Sequence, residues 1–208
     1  MPKRIPKQER SKAKYEAIIR SIRRIIDKGE FDQSSTHTIA EEAGVGIGTL
    51  YEYFDSKEDI LALLYEREAE VVWAALETEA ASWVIDRRDP AEGLAHFIVD
   101  FSTNNRALVK VLFGRVPDTF NRPATLLLMG KLQSLLGQFL LLETKGVRQD
   151  HHQSRVFVLT HALLGIAIGI AGQTQPNSEI QPLVEQVTRI VKACLHQDAD
   201  GEWFSNPL

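Results

Sequence analysis

Apolar side chains recur every three or four residues through most of this 208-residue chain, the spacing that places them on one face of an α-helix. The first such stripe predicts a helix from about Gln8 to Asp27 and consists of Tyr15, Ile18, Ile19, Ile22, Ile25 and Ile26. No segment of the sequence shows the apolar–polar alternation of a half-buried β-strand. We therefore expect an all-α fold.

Two short helices joined by a sharp turn are predicted between residues 35 and 54. Ser35 is a suitable N-cap for the first helix, in which Ile39 and Ala43 lie four residues apart on one face. Gly44 can adopt the left-handed conformation that ends a helix. The second helix then runs from about Ile47 to Phe54. This arrangement is a helix-turn-helix, whose second helix enters the major groove of DNA.

A long helix is predicted after this motif. Ser56 is its expected N-cap, and the helical pattern continues to about Ile85. At about 1.5 Å per residue, such a helix is long enough to leave one domain and enter another. We expect a three-helix helix-turn-helix domain over residues 1–56, joined by this long helix to a larger helical domain over residues 57–208.

Capping residues and apolar stripes predict five more helices. Asp89-Pro90-Ala91-Glu92 combines an N-cap, a first-turn proline and a capping-box acid, so it begins the first of them. The others are predicted over Arg106–Phe113, Asp118–Glu143, Gln153–Gly172 and Ser178–Leu195. The nearly continuous apolar run from Val156 to Gly172 contains Thr160 and His161, and it fits a fully buried core helix better than a membrane span.

Charge is distributed unevenly along the chain. Residues 1–28 contain ten Lys and Arg against three Asp and Glu, a balance of +7, although the whole chain has a formal charge of −4. A basic start followed by an acidic body is typical of a protein whose N-terminal end meets phosphate. Taken alone, the same pattern also fits a solvated basic helix face with a disordered tail.

Composition and motif content argue against an enzyme. The single cysteine, Cys194, excludes an internal disulfide and a cysteine-clustered zinc site, and no signal peptide is visible, so we expect a cytoplasmic protein without a membrane partner. His96, His161 and the adjacent His151-His152 are the best material for a catalytic or metal site. They come without a metalloprotease motif, a phosphate loop or a nucleophile elbow. We expect no catalytic residue, no metal and no cofactor.

The segment AGV-x-x-GTLY-x-YF-x-SKE, at residues 43–58, resembles the DNA-binding domain of TetR-family transcriptional regulators. The resemblance covers roughly residues 10–65, and the rest of the chain is similar in length and helical pattern only. Many family members have Ser or Thr where this chain has Gly46, which weakens the helix start by only a few tenths of a kcal/mol. The resemblance implies a homodimer that binds a palindromic operator in double-stranded DNA, and an apolar effector pocket.

DNA contacts divide into those that position the protein on phosphates and those that read bases. For phosphate we expect Thr36, Thr49, Tyr53 and Lys57, with Thr49 and Tyr53 on the outer side of the second helix. For base edges we expect His37, Ile47, Tyr51 and Glu52. Glu52 fits a solvent-exposed acid equally well. Lys3, Arg4 and Lys7 reach either the minor groove or only phosphates.

The larger domain supplies candidates for an effector site and a dimer contact. The pocket candidates are Trp73, Phe97, Phe101, Phe113, Phe120, Leu127 and Met129, with Asn104, Arg106 and His161 as polar selectors; each apolar one also fits a packed core. For the dimer interface the candidates are Leu164, Gly165, Ile168, Gly169, Val184, Val187 and Val191, on the last two helices. The same helices also fit an intramolecular core.

The sequence thus predicts a DNA-binding transcriptional regulator, with a repressor released by a small hydrophobic ligand as the leading hypothesis. Ligand binding would tilt the long helix and change the spacing of the two recognition helices, which must lie roughly 34 Å apart to enter successive major grooves. Activation and co-repression stay open. The alternative is a DNA-binding protein without an effector, and an enzyme is a distant third.

Overall fold

The computed structural model describes residues 6–143, 152–173 and 180–195. Within these ranges the chain forms nine α-helices and no β-strand, which confirms the all-α prediction. The helices are α1 (Glu9–Asp27), α2 (Thr36–Ala43), α3 (Ile47–Tyr53), α4 (Lys57–Ile85), α5 (Pro90–Asn104), α6 (Arg106–Arg115), α7 (Pro123–Glu143), α8 (His152–Gly172) and α9 (Ile180–Leu195).

The first three helices enclose a small core. The predicted α1 stripe is buried along its whole length, and Phe31 and Phe54 complete the core from the loops. Tyr15 stacks on Phe54 with ring centroids 5.3 Å apart. Ser21, which the apolar pattern does not single out, is fully buried, and its hydroxyl bonds to the carbonyl oxygens of Ile18 and Ile39. The bond to Ile39 connects α1 to α2.

The long helix α4 passes through two hydrophobic cores. Its first turns, with Leu61 and Tyr65, belong to the core around α1, whereas Trp83 near its end belongs to a second core built with α5, α7, α8 and α9. Helix α6 returns to the first core, where Leu108 and Leu112 are buried. Helix α6, which follows α4 and α5 in the chain, is therefore packed directly against α1.

The second core contains residues that the sequence assigned to a dimer contact. Val184, Val187 and Val191 of α9 are at most 3% exposed and pack inside the chain, largely on α5. The prediction of these three residues as interface residues is wrong, because the apolar stripe of α9 is already covered by its own domain.

Two helices differ from the sequence-based expectations in extent or burial. Helix α7 begins at Pro123 and not near Asp118, after a short 3-10 turn at Thr119–Asn121. Segments of α7 and α8, Pro123–Leu141 and Gln153–Gly172, are long and apolar enough to span a membrane, with mean hydropathies of 1.3 and 1.8, which is weak evidence because core helices pass the same test. Only 28% of the α8 segment is buried, so the prediction of a fully buried helix is wrong.

Candidate DNA-binding surface and ligand cavity

The turn between α2 and α3 is fixed by local capping. The hydroxyl of Ser35 accepts a hydrogen bond from the Thr38 N–H at 3.2 Å, and the Thr38 side chain bonds back to the Ser35 N–H. Gly44 has a φ of 68°, in the left-handed region that costs glycine little. Gly46 then serves as the N-cap of α3 without a side-chain bond. These contacts set the angle at which α3 leaves the domain.

The outer surface of α2 and α3 brings together several of the predicted DNA contacts. The Thr36 and Tyr51 hydroxyls hydrogen bond to each other at 3.0 Å and join the start of α2 to the middle of α3. His37 and Glu52 are exposed, and Ile47 and Thr49 are half-buried. Among these residues, Tyr51 presents the largest ring to solvent, with 43% of its surface exposed.

Gly48 is a feature of this surface that the sequence reasoning missed. It is exposed on the first turn of α3, and, apart from its chain neighbours and the backbone of α3 itself, no atom lies within 4 Å of the position that a Cβ would occupy. The backbone of the recognition helix is therefore uncovered at this point. The sequence did contain a signal, since a glycine inside a helical pattern is unfavourable and commonly has a packing or functional role.

Tyr53 does not lie on the outer side of α3 as expected. Only 5% of it is exposed, and its ring packs edge-to-face on Tyr15 with centroids 5.4 Å apart. Tyr53 is one turn from Leu50 and Thr49, and the ring turns inwards because α1 offers an aromatic partner there. The prediction of an exposed Tyr53 is wrong.

Lys57 lies at the start of α4, and its ammonium group holds the preceding loop. It donates to the carbonyl oxygens of Phe31 and Ser34 at 3.2 and 3.0 Å and lies 4.7 Å from the Phe31 ring centroid. An ammonium has three donors, so these two bonds leave one for other contacts. Replacing Lys57 would therefore disturb the loop as well as remove a cation.

Some of the cations of α1 and its C-cap form ion pairs within the chain. Arg24 and Lys28 both pair with Glu42 of α2, at 2.7 and 3.0 Å. The hydrogen bond from Arg24 holds the pKa of Glu42 below its ordinary value. Lys7 is exposed, whereas Lys3 and Arg4 lie outside the described residues. The net charge of +7 counted for residues 1–28 is thus larger than the positive charge that remains available to a DNA duplex.

A cavity of about 140 Å³ lies among α4, α5, α6, α7 and α8. Of the predicted effector residues, Phe97, Phe101, Phe113 and Met129 line it. The others are placed elsewhere: Trp73 faces a separate groove between α4 and α7, Asn104 is exposed, the Arg106 guanidinium donates to the Gln173 carbonyl at 3.4 Å, and Phe120 and Leu127 are more than half exposed.

Helix α8 contributes a different residue to the cavity than expected. His161 is exposed, with its ring against Phe157 at a centroid distance of 4.1 Å, so its prediction as an effector contact is wrong. The adjacent Thr160 lines the cavity instead. Leu164, expected at a dimer contact, also lines the cavity. Both corrections follow from the rotation of α8, which sequence periodicity left undetermined because the helix is apolar on nearly every side.

Five polar residues line this otherwise apolar cavity: Tyr65, Glu68, Ser102, Thr125 and Thr160. The Tyr65 and Thr125 hydroxyls bond to each other, and burial raises the pKa of Tyr65. The Thr160 hydroxyl donates to the Val156 carbonyl at 2.7 Å. Among the described residues, the fully buried Ser102 hydroxyl finds no hydrogen-bond partner.

A cluster that we call the Arg23 junction connects this cavity with the DNA-binding end; it consists of Arg23, Asp27, Glu68 and Asn105. The Arg23 guanidinium donates to Glu68 at 2.8 Å, to Asn105 at 3.0 Å and to Asp27 at 3.0 Å. The Asn105 amide in turn donates to the carbonyl of Phe101 at 3.0 Å. Two cavity-lining residues, on α4 and α5, are therefore linked through one side chain of α1.

One face of α8 is apolar and exposed. Phe157 and Val158 are 56% and 57% exposed, and Gly165 and Gly169 follow on the same side with open space where a Cβ would lie. Ile168 is half-buried. A contiguous apolar stripe on a surface marks an interaction site more often than chance.

Comparison with known proteins agrees with this architecture. Residues 18–64 match the family model described as bacterial regulatory proteins, tetR family. The fatty acid metabolism regulator protein of Bacillus subtilis (strain 168) is 38% identical over 60 residues, which are 29% of this chain and only 31% of that protein. The sequence match thus covers about a third of that curated relative and is confined to one part of each protein.

Solved structures extend the similarity to nearly the whole fold. The fatty acid degradation regulator FadR from Bacillus halodurans superposes with a TM-score of 0.62 over 92% of this chain and 97% of its own, at 19% identity. The Thermus thermophilus FadR, described as a TetR-family repressor in complex with lauroyl-CoA, gives a TM-score of 0.59 over 89% of this chain and 97% of its own, at 22% identity. At such identities these matches establish a shared fold.

Proposed function

Because the DNA-binding domain of this chain belongs to the TetR family of bacterial regulators, we propose that the protein is a homodimeric, cytoplasmic repressor that leaves a palindromic operator when a small hydrophobic ligand binds. The observation that carries the DNA-binding part is the match of residues 18–64 together with the exposed outer surface of α2 and α3. The apolar cavity supports the ligand part.

On DNA, α3 lies in the major groove, where some of the outer residues contact phosphates and others contact bases. Thr36 and Tyr51 hold each other by a hydrogen bond, which presents their hydroxyls to the phosphates on one groove wall. His37, Ile47 and Glu52 face base edges. The uncovered backbone at Gly48 permits a closer approach to DNA than any side chain would allow.

The dimer forms through the exposed apolar face of α8. Gly165 and Gly169 permit close approach of a second copy, and Phe157 and Val158 supply apolar area at one end of the face. The buried stripe of α9 supports the second core and not the interface. This assignment explains why much of the apolar surface of α8 is left exposed within a single chain.

Ligand binding acts on DNA affinity through the Arg23 junction. A ligand that displaces the cavity walls moves Glu68 and Phe101, and both are bonded to the junction that holds α1. A coupling of about 1–3 kcal/mol is sufficient to weaken operator binding by about 5- to 150-fold. Because α6 also packs on the first core, the cavity and the DNA-binding end share two mechanical links.

The first test is selection of bound duplexes from a random DNA pool at physiological salt. The wild-type chain is compared with Tyr51→Ala on α3 and with Glu79→Ala, an exposed site on the distal half of α4. We expect an enriched palindrome with the wild type and Glu79→Ala, and its loss with Tyr51→Ala. Folded wild-type protein that enriches no sequence would overturn the proposal of a sequence-specific regulator.

The selected duplex then serves to identify the effector. Release from the duplex is measured with ring-sized hydrophobic compounds and with lauroyl-CoA, the ligand named for the Thermus thermophilus protein. The cavity of about 140 Å³ is smaller than a typical site for a larger ligand, roughly 300–1,000 Å³, so we expect release by the smaller compounds. Release by lauroyl-CoA alone would require a cavity that opens to admit a long chain.

A further inference from the structure

Helix α7 has an exposed and uncharged face next to the proposed contact on α8. We propose that this face is the second half of the dimer contact, so that α7 and α8 of one copy pack against α7 and α8 of its partner. The inference rests on the homodimer proposed above. It assigns to α7 the place beside α8 that the sequence assigned to α9.

The outer face of α7 follows a regular helical spacing. Leu127, Ser134, Gly137 and Leu141 are separated by steps of seven, three and four residues, which places them on one side of the helix. Leu127 and Leu141 are 57% and 63% exposed, and Gly137 has open space at its Cβ position. Only 22% of the segment Pro123–Leu141 is buried. Most of this apolar helix is therefore not covered by its own chain.

A groove of about 1020 Å³ joins this face to α8. Ser134, Gly137 and Leu141 line it from α7, and Phe157 and Val158 line it from α8. Phe157 and Val158 are the residues placed above at one end of the proposed contact. The faces of the two helices therefore form one continuous surface, and a partner that covers this end of α8 also meets α7.

Charge is missing from this surface, although 25% of the chain is charged. Over residues 123–141 and 153–172, the only Lys, Arg, Asp or Glu residues are Lys131 and Arg155, and both are half-buried. Lys131 lies 5.2 Å from the centroid of the Trp73 ring of α4. Arg155 lies close enough to Cys194 of α9 to lower the pKa of its thiol, against the larger effect of burial. Each cation is thus near another helix, and the exposed positions of both ranges carry neither Lys, Arg, Asp nor Glu.

A second copy of the chain is the partner that fits an uncharged surface of this kind. In a two-fold contact the same patch faces itself, so a charged patch would meet charges of its own sign, whereas an uncharged patch is complementary to itself. The cores of protein interfaces are also depleted of charged residues. A lipid surface fits less well, because Gln138, Gln153 and Ser154 line the groove and would lose their hydrogen bonds in hydrocarbon.

Charged substitutions on α7 test this inference. Ser134→Arg and Leu141→Arg each place a cation in the groove, where a second copy would bury it without a partner. Gln186→Arg is the matched control, because it adds the same charge at an exposed site of α9, the helix that the sequence paired with α8. Sedimentation equilibrium of the full chain gives the dissociation constant of each dimer. We expect it to rise by about tenfold or more in both α7 variants and to stay at the wild-type value in Gln186→Arg.

Folding is checked by far-UV circular dichroism. All three substituted sites are exposed in the single chain, so the helix content should equal that of the wild type. If one α7 variant loses helix content, the other decides the test.

The outcomes separate this inference from the proposed homodimer. If folded Ser134→Arg and Leu141→Arg dimerise as the wild type does, the role of α7 is overturned, while the contact on α8 stands as long as Gly165→Arg is monomeric. A dimer weakened by Gln186→Arg alone would place the second half of the contact on α9. A wild-type chain that stays monomeric would overturn both proposals. Its co-sedimentation with vesicles of phosphatidylethanolamine and phosphatidylglycerol would then identify lipid as the partner of this surface.

Discussion

Gly93 shows how a single residue sets the closeness of two helices. It lies on α5 against the indole ring of Trp83, which is 1% exposed near the end of α4. A Cβ at this position would lie 2.5 Å from Trp83 Cε2 and 2.8 Å from Nε1. No real methyl group tolerates such contacts with a buried ring, so α4 and α5 approach each other only because residue 93 has no side chain.

Substitution of Gly93 by Ala should therefore lower the free energy of unfolding, by about 1–3 kcal/mol, since Trp83 must move in a filled core. Gly130→Ala in α7 is the matched control, because open space surrounds its Cβ position. The control should be neutral or up to about 1 kcal/mol more stable, as expected from helix propensity. Urea denaturation measures both, and equal effects would contradict the close contact with Trp83.

At the scale of single residues, the sequence predicts what depends on near neighbours. The N-caps at Ser35 and Ser56 and the left-handed Gly44 are correct because their partners lie within four residues along the chain. The close contact at Gly93 and the inward ring of Tyr53 depend on partners from other helices. Their roles could not be predicted, because the sequence does not say which helices meet or at what rotation.

Two ion pairs connect α1 to α4. Arg67 makes a bidentate contact with Glu16, at 2.5 and 2.8 Å, and Arg23 binds Glu68 at 2.8 Å. The hydrogen bond from Arg67 lowers the pKa of Glu16, and bonds to Glu68 and Asp27 raise the pKa of Arg23 despite its burial. Both pairs connect the same two helices, but only the second reaches the cavity.

The Glu16–Arg67 pair should make stability depend on pH in the acid range. The pKa of Glu16 is lowered on folding, so the pair contributes fully above the ordinary glutamate pKa of about 4.3 and loses its contribution as pH falls through the folded value. Glu16→Gln should cost about 1 kcal/mol or less at pH 6, because the pair is partly exposed. That difference should shrink in denaturation series as pH falls below the ordinary glutamate value of about 4.3, and a constant difference would contradict the prediction.

The Arg23 junction should affect ligand response more than DNA binding itself. Asn105→Ala removes the link between α1 and the carbonyl of Phe101, so the ratio of operator affinities without and with ligand should fall severalfold. Arg67→Gln cuts the other connection between α1 and α4 and should leave this ratio near the wild-type value. Fluorescence anisotropy with the selected duplex gives both ratios. Equal changes would assign the coupling to helix packing alone.

At the scale of helices, the number and order of elements followed from periodicity, but their rotations did not. α1 has one clean apolar stripe, so its buried face was predicted correctly. α8 is apolar almost all round, and the pattern therefore gave no basis for placing Thr160 at the cavity and His161 at the surface. The start of α7 was placed near Asp118 because that residue resembles an N-cap; the helix begins at Pro123, a residue well suited to a first turn.

Assembly of two chains should depend on the exposed face of α8. Gly165→Arg places a charged side chain there without disturbing the fold, since open space surrounds the Cβ position. It should convert a dimer into a monomer in sedimentation experiments and abolish binding to the palindrome. Ala75→Arg, at an exposed site of α4, is the control and should remain dimeric. A dimer that persists in Gly165→Arg would move the interface to another surface.

For the whole molecule, the sequence predicted an N-terminal DNA-binding domain and a helical body, of which the family match over residues 18–64 concerns the first. It did not predict that α6 belongs to the same core as α1. Contacts between segments eighty or more residues apart, such as Arg23 with Asn105, leave no trace in local periodicity. Packing between distant segments is therefore the hardest feature to predict from a single sequence.

Because α6 belongs to the core around α1, the DNA-binding end is not a separate module. Leu108 and Leu112 close the core of the DNA-binding end, although they lie more than forty residues beyond the helix-turn-helix. A chimera that grafts residues 1–56 onto an unrelated sensor would inherit the recognition helix but expose that side of its core. A chimera joined at the start of α4 should therefore be unstable. A functional exchange of DNA specificity must include α6 together with residues 1–56.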